Sequence, residues 1–494
     1  MNRPPSQTRR WQLIFFAITL ILSACNLQVV SPPSTPASLP TVNTPTPTIQ
    51  PTPFSTRPVY KPGQLVDYVA QDGDNLPALS ARFNTTVDEI LEANPIIPHD
   101  ATTMPPGMPM KIPIYYRALW SDPYKILPDH AFVNGPGLVG FNTSAFVASH
   151  PGWLKTYKVY ASGRWRTGAE MVDFLATNYS ISPRLLLAIL EYQGGALSQS
   201  EPPVKKNLLG FRRLYYESPY LQLIIGATTL NNGYYGWRDG TLIEFDLPDG
   251  TLIRPDPWQN AASVAIQYYY SVVFSGDNYK IAAGPNGLVL TYINLFGDPW
   301  NDQQTLIPGS LQQPDLILPF PYGYTWTYTG GPHTGWGSGE PYSAIDFAPP
   351  SDKSGCFIPQ DTDYAVAMAD GLVVRSAVNG LALDLDRDGD ERTGWVIFYL
   401  HLATRDRAPL GAVLNAGDKI GYPSCEGGRV TGTHIHIARK YNGEWIAADG
   451  TLAFTMDGWV AHNGSQAYLG TLTNGGQTVT ACVCSDAYSR IWRK

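Results

Sequence analysis

The chain has 494 residues, 44% hydrophobic and only 15% charged, with 34 Lys and Arg against 41 Asp and Glu for a formal charge of −7. That length exceeds what one hydrophobic core organises, so about three domains are expected, and the apolar content excludes a wholly disordered or coiled-coil chain. No basic excess is present to hold a polyphosphate, so no nucleic-acid partner is expected, while 43 Pro, 46 Gly, 29 Tyr and 13 Trp favour turn-rich, β-rich extracellular architecture.

Residues 1–25 place Arg3, Arg9 and Arg10 ahead of an apolar run and end in Leu22-Ser23-Ala24-Cys25. A basic start followed by an apolar run too short to span a bilayer as a mature helix reads as an export signal. The small pair before Cys25 resembles the lipobox of bacterial lipoproteins, which implies lipidation of Cys25 and attachment to the membrane on the extracytoplasmic face of the envelope. Residues 26–62 are rich in Pro, Thr and Ser and read as an extended stalk. The remaining Cys356, Cys425, Cys482 and Cys484 would then lie in an oxidising compartment, where an even number suggests two disulfides.

Residues 63–116 read strand, helix, helix, strand, with Asp74 and Thr86 as expected helix N-caps. The phrases Gly73-Asp74-Asn75-Leu76, Phe83-Asn84-Thr85-Thr86 and Asn94-Pro95-Ile96 resemble the LysM module. That resemblance implies a βααβ fold binding N-acetylglucosamine-containing glycans in a groove between Gly73, Asp74, Asn75, Leu76 on one side and Asn94, Pro95, Ile96 on the other.

Residues 117–310 look mainly helical. Met171, Phe174 and Leu175 follow helical spacing, and Ser182 with Pro183 opens a second helix. The stretch Ser182-Pro183-Arg184-Leu185-Leu186-Leu187-Ala188-Ile189-Leu190 resembles the helix leading to the catalytic Glu of lysozyme-like lytic transglycosylases. Here Gln193 stands where that Glu would fall, and a carboxamide cannot protonate a leaving sugar oxygen. Glu191 could substitute only from another face of the helix, so a degenerate, non-cleaving domain is expected.

Residues 311–494 alternate as mainly antiparallel β strands. In Ile345-Asp346-Phe347, Leu400-His401-Leu402 and Ile435-His436-Ile437, apolar side chains flank a polar one, so each strand is expected to bury one face and offer His or Asp on the other. Nitrogen and oxygen donors converging on a sheet face suit Zn²⁺, which takes three protein ligands plus water when catalytic. Gly330-Gly331-Pro332-His333, Tyr399-Leu400-His401-Leu402 and Thr431-Gly432-Thr433-His434-Ile435-His436 resemble the lysostaphin-type zinc endopeptidases of bacterial cell walls, in their β-lytic and staphylolysin branch. The resemblance implies metal ligation by His333, Asp346 and His436, catalytic roles for His401 and His434, and peptidoglycan as partner and substrate. A wall-binding scaffold without activity, or a bifunctional muramidase and peptidase, are the alternative readings.

Cys425 stands in the Gly-rich approach to His434, which favours a disulfide to Cys356. A bond between Cys482 and Cys484, two apart, would be strained, so pairing of Cys356 with either stays open. Asp384, Asp386, Asp388 and Asp390 around Gly389 resemble the opening of a calcium loop, although its twelfth position falls on Trp395 rather than Glu; a polar hairpin tip is the alternative.

Overall fold

Alternating apolar residues Val66, Tyr68, Ile112 and Ile114 pair the strands Gln64–Val69 and Pro109–Ile114 antiparallel over the helices Leu76–Phe83 and Val87–Ala93. This is a computed structural model, and it describes residues 57–494 apart from 205, 303 and 485. Cys25, the export signal and most of the stalk lie outside the described residues. Thr86 caps the second helix in a reciprocal capping box with Glu89. The first helix departs from expectation, because Asn75 rather than Asp74 caps it. Asp74 is buried and already committed to Tyr68 Oη at 2.6 Å, the Gln71 amide at 2.7 Å and Arg82 at 2.7 Å.

The middle region is helical where its caps and periodicity place it. Thr167 and Glu170 box the start of Gly168–Tyr179, Ser182 and Pro183 open Pro183–Gly194, and Ser218 and Pro219 open the long helix Pro219–Asp239. With Ala261–Val273 they bury Leu186, Leu190, Tyr234, Trp237 and Tyr269 in one core. Two small hairpins, Lys158–Ala161 with Arg164–Thr167 and Phe245–Asp246 with Leu252–Ile253, interrupt the helices.

The C-terminal region is built on a nine-stranded antiparallel sheet. Its centre runs Gly380–Asp384, Trp395–Leu400, Ile435–Tyr441, Ala344–Ala348 and Thr325–His333. One face carries Ile345, Phe347, Ile397, Tyr399, Ile435 and Ile437 into a core of its own. The opposite face, expected to be open, is covered as well: Ala344, Phe398, Ala438 and Trp445 join the helical core. Sequence alternation marks which residues share a face, but a second apolar layer arriving from 200 residues away is invisible to it.

Polar groups tie the covered face to the helices. Arg238 reaches Glu444 at 3.0 Å and Asp129 at 3.3 Å, Asn232 Oδ1 accepts from the Glu340 amide at 2.8 Å, and Arg375 donates to Asn178 at 3.0 Å. Lys440 is buried, donating to the Thr177 carbonyl at 3.1 Å, and burial pushes its ammonium down to about 7. The unfolded chain therefore protonates Lys440 below about pH 10.4 while the folded one does not until near 7. Its contribution is complete at high pH and falls by up to about 1.4 kcal/mol per pH unit as pH drops towards 7, then levels. Lys440→Met should remove that slope, so urea unfolding from pH 7 to 9 should show the variant gaining on the wild type as pH falls. A constant stability difference across that range would contradict it.

Candidate metal centre

Ladder register places the two central ligand candidates side by side. His436 of Ile435–Tyr441 pairs directly with Asp346 of Ala344–Ala348, and Asp346 pairs on its other side with Gly330. Glycine is required there for space, since a Cβ on Gly330 would come within 2.5 Å of Asp346 Oδ2. Between Gly330 and His333 the strand carries an irregularity that sets His333, not Pro332, opposite Ala344. That extra residue turns His333 onto the face that carries Asp346; in regular pairing it would point the other way.

One donor atom each from His333, Asp346 and His436 lies within 4.8 Å of the others, and all three residues are buried. His333 Nδ1 lies 2.8 Å from the Gly331 carbonyl, and His436 Nε2 lies 3.1 Å from that of Gly335. Carbonyls only accept, so these nitrogens carry the protons, and the free lone pairs are His333 Nε2 and His436 Nδ1. Those two atoms face each other at 3.0 Å, and each is 3.3 Å from Asp346 Oδ1, which has no hydrogen-bond donor among the described residues. Two neutral lone pairs and a buried, unpartnered carboxylate oxygen cannot satisfy one another without a cation among them. The residues fit a divalent metal, with backbone carbonyls as the supporting shell that fixes each tautomer.

The electrostatics agree with an ionised aspartate. Burial would raise the Asp346 carboxyl, but His333, His434 and His436 beside it hold it well below the usual range. Burial alone would depress His333; Asp346 outweighs it and raises the ring, whereas burial leaves His436 lowered despite Asp346.

His401 and His434 stand next to this cluster with ring centroids 4.7 Å apart. His401 follows strand Trp395–Leu400 in a left-handed conformation, φ 64°, which ends the ladder and turns its Nδ1 to the Glu426 carbonyl at 2.7 Å. Burial, with His434 and His436 nearby, pushes its pKa down to about 3, so the ring is neutral across the ordinary range. His434 donates Nδ1 to the Gly432 carbonyl at 2.8 Å and places Nε2 3.8 Å from Asp346 Oδ2. Both rings therefore carry their free lone pair on Nε2. A groove of about 450 Å³ runs past His401, His434, Arg429 and Phe357.

Cys356 is bonded to Cys425 with Cα atoms 6.0 Å apart, and Cys482 to Cys484, the pairing that the spacing had marked as strained. The first bond joins the two loops behind the histidines: Glu426 holds His401, while Phe357 exchanges bonds of 2.7 and 2.8 Å with Thr433, next to His434. Tyr468, stacked on His333 at 4.0 Å, was not foreseen; it comes from a loop with no motif around it. The carbonyls of Gly331 and Gly335 were likewise missed, although the glycine density around His333 was the available signal.

The expected glycan groove is not brought together as an open surface. Asp74 and Leu76 are buried, Asn75 donates to the Arg238 carbonyl at 3.0 Å, and Gly73 lies against the Arg238 guanidinium. Asn94 is buried between the Ile90 and Lys111 carbonyls, both at 2.7 Å, which leaves Pro95 and Ile96 exposed. The tertiary reason is that the 73–76 loop, read as free, docks on the end of helix Pro219–Asp239. In the helical region Gln193 bridges Tyr269 Oη and the Leu209 carbonyl at 2.7 and 2.9 Å, and Glu191 accepts from the Leu197 and Ser198 amides at 2.7 and 3.2 Å. Both side chains serve the local fold.

A buried two-histidine, one-aspartate metal site on an antiparallel sheet, with two further histidines beside it, has the constitution of a hydrolytic metal centre. Residues 125–309 match the family model described as the LasA N-terminal domain, and residues 68–113 match the LysM domain. Protease LasA of Pseudomonas aeruginosa (strain UCBPP-PA14) is 25% identical over 348 residues, 66% of this chain and 75% of that protein. The beta-lytic metalloendopeptidase of Achromobacter lyticus is 31% identical over 144 residues, 28% of this chain and 36% of that one. Among solved structures, the M23 metalloprotease pseudoalterin is 23% identical and covers 34% of this chain and 96% of its own, with a TM-score of 0.29. The chain is similar to protease LasA and, in its C-terminal part, to the beta-lytic metalloendopeptidases, with a LysM match ahead of both.

Proposed function

We propose that the chain is a zinc endopeptidase that hydrolyses peptide cross-links of peptidoglycan, held to the wall by its LysM module and to the membrane through Cys25. The observation that carries the reading is the inward set of His333 Nε2, His436 Nδ1 and Asp346 Oδ1 beside two histidines that the metal does not need. Zinc bound there would lower the pKa of a coordinated water towards roughly 7 and polarise the scissile carbonyl. His401 and His434, each fixed through Nδ1, both present Nε2 as an acceptor for the proton of the attacking water. The ring that takes it, with His401 assigned that role, then gives it from Nε2 to the developing oxyanion or leaving amine. Carbonyls of Gly331 and Gly335 keep the ligand rings from rotating. With the 73–76 loop docked, glycan contact falls to the exposed Pro95 and Ile96 edge.

Digestion of purified peptidoglycan, with the products identified by mass spectrometry, tests this. The zinc-loaded protein should release new peptide amino and carboxyl termini, and the chelated protein none. Neither form should release reducing ends or anhydro-sugars, because Gln193 and Glu191 are occupied and the carboxamide of Gln193 has no acidic proton to transfer. Metal-independent sugar release that disappears in Glu191→Gln would make the helical region a second enzyme; absence of new peptide termini would defeat the peptidase reading.

A further inference from the structure

The hairpin that carries strand Trp395–Leu400 towards His401 turns through an acidic tip that the proposed hydrolysis does not use. Asp384 ends the strand Gly380–Asp384 with its side chain fully buried. Its Oδ2 accepts from the Gly389 amide at 3.0 Å, but Oδ1 has no hydrogen-bond donor among the described residues. Donor oxygens of Asp384, Asp386 and Asp388 all lie within 4.8 Å of one another. Leaving a buried carboxylate oxygen bare beside two more carboxylates costs stability in desolvation and in like-charge repulsion, unless a cation sits among them.

The fourth acid of the motif is excluded from the cluster. Asp390 is turned away into a bond with Arg392, 2.7 Å from Nε, and Arg392 in turn donates to the Leu138 carbonyl at 2.7 Å. The loop is shaped to bring the other three together. Arg387 takes φ 63° and Gly389 φ 93°. Gly394 is glycine because a Cβ there would meet Asp386 Oδ2 at 2.1 Å. Burial, together with Asp386 and Asp388, pushes the Asp384 carboxyl up to about 6, as expected of an acid lacking its counter-ion.

We propose that Asp384, Asp386 and Asp388 bind one Ca²⁺ ion, which clamps the hairpin leading to His401. Every candidate donor is oxygen, which selects a hard cation over zinc. An irregular, partly exposed loop tolerates the variable six- to eightfold shell of Ca²⁺ better than the strict octahedron of Mg²⁺. With three carboxylates and Trp395 where a bidentate Glu would complete a high-affinity loop, the affinity belongs with extracellular modules, a Kd on the order of 10⁻⁴–10⁻³ M. The site shares no residue with the zinc centre, so either can fail alone.

The test uses the full zinc-loaded chain, freed of Ca²⁺ by dialysis against chelator-free, Ca²⁺-depleted buffer with its zinc content checked, titrated with CaCl₂ in a calorimeter and melted with and without 10 mM Ca²⁺. One site in that affinity range and a melting temperature raised by a few degrees are expected. The exposed pair Asp386→Asn and Asp388→Asn should lose both signals, Asp346→Asn should keep both, and 10 mM Mg²⁺ should produce neither. Absence of binding heat for Ca²⁺ in the wild type, or undiminished heat in the Asp386→Asn, Asp388→Asn protein, would overturn the site.

Discussion

His436→Ala is expected to leave the protein folded but without its zinc, and to abolish peptidoglycan hydrolysis. His436 sits at the centre of the cluster, 3.0 Å from His333 and 3.3 Å from Asp346, and pairs with Asp346 in the ladder. Removing a carbonyl or carboxylate that merely orients a ligand commonly costs 10–100-fold in metal affinity; removing the ligand itself should cost more. Metal analysis after dialysis should give about one zinc per wild-type chain and almost none in the variant. The backbone on either side belongs to an apolar strand, with Ile435 and Ile437 fully buried, so circular dichroism should match the wild type. Equal zinc content in the two proteins would remove His436 from the ligand set.

The second large effect separates chemistry from binding. His401→Ala should lower turnover by about 10²-fold or more while the zinc stays, the scale of a lost acid–base group. The separation is expected because His401 belongs to a different strand end from the ligands and is held by Glu426, not by the cluster. Turnover equal to wild type in a zinc-loaded His401→Ala protein would assign the proton transfer elsewhere, with His434→Ala the next variant to measure.

Much of this site is local information. His333, Asp346, His401, His434 and His436 stand in short phrases whose alternation of apolar and polar residues puts the ligands on one face of a strand. Their convergence from four separate stretches is carried in the sequence only by the family pattern. The left-handed turn at His401 and the irregularity before His333 leave no periodic trace, yet each decides where a ring points. The LysM phrases were similarly legible as βααβ, but the availability of their loops was not: Asp74 reads as a cap and is in fact the buried partner of Arg82.

The family resemblance, not spacing, marked the five residues of the candidate centre; sequence by itself determined the division into a small βααβ unit, a helical middle and a β C-terminal region and the helix starts at Thr86, Ser182 and Pro183. These depend on spacing and on side-chain chemistry within a few residues. Tertiary structure alone decided that the sheet's second face is covered by the helical core, that the 73–76 loop is spent on Arg238, that Gln193 and Glu191 are engaged in local hydrogen bonds, and that Asp384 is buried with Oδ1 unpartnered among the described residues. Each of those outcomes is set by contacts between segments far apart in the chain, where burial and pairing depend on what arrives from elsewhere.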